Sequence, residues 1–150
     1  MFKKILVPLD GSKMAEAALP LARELAESNG AEIILIHANA PTYFQYYSPE
    51  MMVAAPDIEH DERVEANTYM HRVLASMQDR GIKATAVLKD DITAANAILD
   101  YADQNAVDLI TMSTHGRSGI GRWLIGSVTD KVVHGAKVPV LLVRPDESEH

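Results

Sequence analysis

Between Met112 and Thr129 the chain reads MSTHGRSGIGRWLIGSVT, gathering four glycines, a histidine, two arginines and several hydroxyls into one short stretch. Such a mixture suits a phosphate. Glycine lets the backbone turn sharply and come close to a ligand. A helix start adds unpaired N–H groups and a partial positive charge. The flanks supply that setting. A β-branched run from Val107 to Thr111 precedes the stretch, an amphipathic segment with Val128, Val132 and Val133 follows, and a second apolar run spans Val138–Val143.

Familiar glycine patterns fit only in part, and each misfit removes a chemistry. Gly121-RWLI-Gly126 has P-loop spacing, but Ser127 stands where that loop needs lysine; Gly116-RSGI-Gly121 is followed by Arg122. Without the lysine the clamp on the β- and γ-phosphates is missing, so P-loop hydrolysis is not expected. Gly119-x-Gly121 runs on to Leu124 and does not directly follow the strand, so a dinucleotide fingerprint fails as well. Pro8–Ser12, after the first apolar run, carries the single acid Asp10, where a phospho-acceptor receiver needs a pair.

These residues need a scaffold, and apolar runs alternate with helical patterns along the chain. Lys4–Leu9 reads as a strand buried on both faces. Ser12 is the expected N-cap of a helix with Ala15, Ala18, Leu19, Ala22, Leu25 and Ala26 on one side. Pro20 inside that pattern calls for a kink or an irregular first turn. Asn29-Gly30 ends the helix, and Ile33–Ile36 is the second strand. Ala40 to Pro56, with three prolines, three tyrosines, Phe44 and Met51-Met52, has no period and reads as a long surface excursion, a lid or contact patch. A helix is expected from about Asp57 to Asp79, with Val64, Met70, Val73, Leu74 and Met77 inward and Gly81 as its cap. Ala84–Leu88 is strand three, and Asp91 caps a helix through Ile98, Leu99 and Ala102. Val107–Met112 is strand four, Ser127–Gly135 lies in a fourth helix, and Val138–Val143 is strand five. The alternation implies parallel, right-handed βαβ units with ligands at the carboxyl ends of the strands. The loops after strands one and four then matter most.

Bulk composition narrows the class further. At 150 residues and 47% hydrophobic, the chain suits one globular domain, residues 1–145, with a frayed tail over 146–150. The absence of cysteine excludes disulfides, thiolate metal sites and cysteine nucleophiles, and suits a cytoplasmic setting. Pro8 and Asp10 interrupt the opening apolar run too early for a signal peptide. No apolar run approaches the ~18 residues of a membrane span. A net charge of −7 works against nucleic acid as a partner, whereas a local cluster of N–H dipoles can still hold a small anion.

Across nearly its whole length the chain resembles the universal stress protein family, through KILVPLDGS, IILIHA, DLITMSTHGRSG, WLIGSVTDKVV and KVPVLLVRP. In the nucleotide-binding branch of that family the signature is G-x2-G-x9-G-[S/T]. Gly116 stands at its second glycine, Gly126 and Ser127 at its end, and Ser113 at the first glycine position, a departure. A serine there costs little in ordinary backbone and counts against ATP binding only if positive φ is required.

The resemblance implies an α/β three-layer sandwich with a five-stranded parallel sheet, Rossmann-like (adenine nucleotide alpha hydrolase-like), in strand order 3-2-1-4-5. It implies ATP, AMP or ADP as ligand, with Mg2+ or Mn2+ accompanying ATP. Pro8, Leu9 and Asp10 would wall one side of the adenosine, with Asp10 toward the ribose. Ala38 would offer backbone groups to the adenine edge, and Met112 would lie against adenine or ribose. Ser113, His115 and Gly116 would approach the ribose and first phosphates. Gly126, Ser127, Val128 and Thr129 would hold the remaining phosphates, and Ser127 or Thr129 could assist a cation. A homodimer through strand Val138–Val143 is implied too, together with a stress-linked signalling role toward a protein partner that the sequence does not identify.

Plainer readings stand beside these. The glycine stretch could merely connect strand to helix, and Asp10 could simply cap the next turn. His115 could serve structure alone. Arg117 and Arg122 suit a solvated surface, and Trp123 suits packing under the loop. His37, His60, His71 and His134 lack metal-ligand spacing. No general base stands ready to activate water, so any ATP hydrolysis should be slow. Two rivals to the nucleotide sensor remain: a dimeric scaffold or holdase with a vestigial glycine loop, and an adenylyl-transferring or slow ATPase enzyme.

Overall fold

The computed structural model describes residues 1–40, 49–116 and 124–146, with only the backbone described for 49–59. Strand β1 (Lys4–Pro8) leads through a 3-10 turn (Ala15–Ala18) into α1 (Leu19–Asn29). Strand β2 (Glu32–Asn39), α2 (Pro49–Gln78), β3 (Ala84–Asp90) and α3 (Ala94–Gln104) follow. The chain closes with β4 (Leu109–Ser113), α4 (Ser127–Gly135) and β5 (Val140–Val143). The five strands are parallel in the order β3-β2-β1-β4-β5, as the resemblance implied. Among the described residues, no helix is long and apolar enough to cross a membrane.

Strand alternation sorts the core onto two faces. Ile5, Val7, Ile33 and Leu35 pack with Ala18, Leu19, Ala22 and Ala26 of α1 and with Met70, Val73 and Met77 of α2. Leu6, Ile34, Ile36, Ile110 and Met112 point the other way, onto Ala95 and Ile98 of α3 and Val132 of α4. Successive strand side chains face opposite sides, so one uninterrupted apolar run feeds both cores. Three layers result.

Several local expectations need correction. Ser12 does not cap α1; its Oγ accepts from the Ala15 amide (3.2 Å) and so caps the 3-10 turn. Pro20 falls in the first turn of α1, where its missing N–H would have had no helical partner. The irregular turn expected there is the 3-10 turn Ala15–Ala18 just before it. α2 begins at Pro49, so the second part of the expected excursion is helical, and the helix runs on through Pro56. Residues 41–48, the rest of that excursion, lie outside the described set. Val64, expected inward, is 50% exposed, while Ala66 is buried and Tyr69 packs against the core instead. Asp91 does not cap α3: it adopts φ 58°, and Thr93 occupies the N-cap. Val133 is exposed. Strands four and five begin two residues later than expected, at Leu109 and Val140.

Candidate functional site

β1 lies between β2 and β4, and the chain leaves it in opposite directions on the two sides. Such a reversal opens a crevice at the carboxyl ends of the two strands. A cavity of about 250 Å³ sits there. Pro8, Leu9, Asp10, Ala38, Met112, Ser113, His115, Gly116, Gly126, Ser127, Val128 and Thr129 all line it. The twelve residues that the resemblance assigns to the ligand therefore meet at one place. The lining also includes Ala15, Ile36, Ala94, Ala97 and Ile98, which sequence reasoning passed over. The α3 residues recur at i, i+3 and i+4, a helical stripe that looks from sequence like ordinary core.

The walls divide by chemistry. Toward β2 and α3 they are apolar, with Ile36, Ala38, Ala94, Ala97 and Ile98, and Met112 of β4 adds to that apolar lining. Toward β4 and α4 they are polar and glycine-lined: Ser113, His115, Gly116, Gly126, Ser127 and Thr129. A flat apolar group and an attached polar chain would each find their own side.

Asp10 joins the two loops. Its Oδ1 accepts from the Ser12 amide at 2.9 Å and from the Ser12 hydroxyl, so the turn-capping reading holds for that oxygen. Its Oδ2 faces Gly116, where an added Cβ would overlap it. Gly116 is thus a glycine of close approach, without positive φ. The neighbouring Leu9 is pinned twice: its amide donates to Ile36 O (2.9 Å), and its carbonyl lies 2.8 Å from His37 Nδ1.

Ser113 ends β4 in ordinary extended backbone and is absent from the positive-φ positions, so serine costs no strain there. Its carbonyl accepts from Thr129 Oγ1 (3.0 Å), and its Oγ accepts from the His115 amide (3.3 Å). His115 is 8% exposed, with Nδ1 2.9 Å from Thr114 Oγ1 and Nε2 against the carbonyl of Leu124. The Gly126 amide donates to Thr114 O (2.9 Å), so that N–H is not available to a phosphate. The Thr129 hydroxyl proton is likewise spent. What remains is the helix start itself. Gly126 at the N-cap has no side chain to cap it, and the first helical bond runs from Asp130 N to Gly126 O. The amides of Ser127, Val128 and Thr129 are left as the donors that a helix start cannot satisfy internally.

Among the described residues, no group of three His, Asp or Glu could hold a metal. Arg117, Arg122 and Trp123 lie outside the described residues. His60, His71 and His134 are exposed on their helices, and His134 pairs only with Asp130 of its own turn.

The universal stress protein family model matches residues 1–144. A universal stress protein of Thermus aquaticus is 34% identical over 145 residues, covering 96% of this chain and all of the relative. The structure of the universal stress protein UspA from Lactobacillus plantarum superposes with a TM-score of 0.83 at 25% identity, covering 95% of this chain and 98% of that one. A universal stress protein family member from Arabidopsis thaliana, solved with AMP bound, shares the fold at a TM-score of 0.70 and 18% identity, covering 98% and 94% of the two chains.

Proposed function

Because the chain belongs to the universal stress protein family, we propose that it binds an adenine nucleotide in this cavity, ATP foremost and AMP or ADP by the same contacts. One observation carries the reading: an uncapped helix start opens into a cavity whose opposite wall is apolar. In this reading the base lies between Ala38, Met112 and the first turns of α3, with the ribose near Asp10. The phosphates reach the amides of Ser127, Val128 and Thr129, where helix-end charge and N–H donors coincide. The AMP found in the Arabidopsis relative supports an adenine ligand.

A divalent cation accompanying ATP would take phosphate oxygens and waters, with the exposed Ser127 hydroxyl suited to join them. No protein cage is needed for that. Both nitrogens of the His115 ring are engaged by the protein, so that ring is not placed as a base for water. The protein works as a nucleotide-dependent switch in a cytoplasmic setting. Ligand bridging the loops after β1 and β4 shifts the surface shown to a partner. β5 is an edge strand and its four residues are only half-buried, which suits pairing with a second copy.

Equilibrium binding of labelled ATP to nucleotide-free protein tests the reading. Saturable binding supports it, and no binding at millimolar ATP removes it. Mass spectrometry of native protein separates the rival, since a nucleotide-independent scaffold would carry no adenosine species.

A further inference from the structure

We propose that the His115 imidazole is a positioning residue, a staple that sets the start of α4 against the end of β4, and not a ligand of the phosphates. The geometry fixes one proton. The Leu124 carbonyl can only accept, so Nε2 carries the hydrogen. Nδ1 lies 2.9 Å from the Thr114 hydroxyl, which can pair with it as donor or acceptor. Both ring nitrogens are spent within the protein, and the ring is nearly buried.

The staple belongs to a set of three ties. Thr114 O takes the Gly126 amide at 2.9 Å, and Ser113 O takes the Thr129 hydroxyl at 3.0 Å. The third tie is His115 to Leu124, the residue where the chain approaches the helix. Leu124 is 64% exposed, so water can replace the ring at its carbonyl. Losing the staple therefore costs placement of the Ser127–Thr129 amides more than it costs the fold. This consequence rests on the nucleotide reading, while the proton assignment stands without it.

The test joins NMR of the native protein to two variants. Ring 15N shifts of native protein should report a hydrogen on Nε2, unchanged when ATP is added. Glutamine places an amide nitrogen about where Nε2 stands, and asparagine falls short. H115Q should hold ATP within about threefold of native affinity, and H115N should lose about tenfold, with both folded by circular dichroism. A bare Nε2, or ring shifts that move on ATP addition, would overturn the staple. So would H115Q losing as much affinity as H115N. If native protein binds no ATP, the nucleotide reading falls, and the Nε2 hydrogen in ligand-free protein alone decides whether His115 staples the loop.

Discussion

Gly116 and Asp10 touch where the two loops of the crevice meet, so a change at one is felt by the other. Gly116→Ala should push the Asp10 carboxylate away from Ser12 rather than unfold the chain, because the clash is with the end of a side chain. The expected cost is about 1 kcal/mol, the worth of a hydrogen bond. A double-mutant cycle with Asp10→Ala, read by denaturant midpoints, should find most of that cost already removed once the carboxylate is gone. Tyr69 acts on the opposite face. Its hydroxyl is buried beside the Glu16 and Asp10 charges. Burial first, then those carboxylates, push its phenol above its ordinary value of 10.0. The sign follows: the neutral phenol is favoured in the fold, so its contribution is intact below pH 10 and is lost as pH rises beyond that value. Tyr101 is pushed the same way by burial and Glu32, so Tyr69→Phe should flatten the alkaline loss only in part. Denaturation at pH 9 and at pH 11 checks it.

Elements differed in how openly the sequence declared them. The strands and α4 announced themselves, because continuous apolar runs and a glycine-serine helix start have few other uses. α2 hid its beginning. Pro49 and Pro56 look like breaks, yet the first suits an opening helical position and the second forfeits one N–H bond without ending the helix. Asp91 looked like a cap by type alone, and the chain instead uses its left-handed φ to turn from β3 toward α3. The α3 wall of the cavity stayed unread because Ala94, Ala97 and Ile98 carry no chemistry of their own. The His115–Leu124 tie was equally hidden, since it exists only once β4 and α4 are placed. Placement itself depends on packing. Ile110 of β4 is fully buried against the α3–α4 side, so Ile110→Ala should cost about 2–5 kcal/mol in a chemical denaturation curve.

Taken as a whole, the molecule should register its ligand through stability. A nucleotide that binds only the folded chain adds about 2.7 kcal/mol at a hundred times its Kd. For a chain this long that is a rise in Tm of roughly 5–10 °C, growing with ATP concentration in a calorimetric scan. Tripolyphosphate should give a smaller rise, because it leaves the apolar wall bare. Strand order has a consequence for synthesis. β1 is hydrogen-bonded to β2 on one flank and to β4 on the other, and Leu6 pairs with Ile110, more than a hundred positions later. At the usual pace of about 5–20 residues per second, a ribosome spends several seconds translating that interval. Throughout it the central strand keeps one raw edge, open to stray pairing by other nascent chains. The crevice, which needs both loops, is among the last parts of the molecule to come into being.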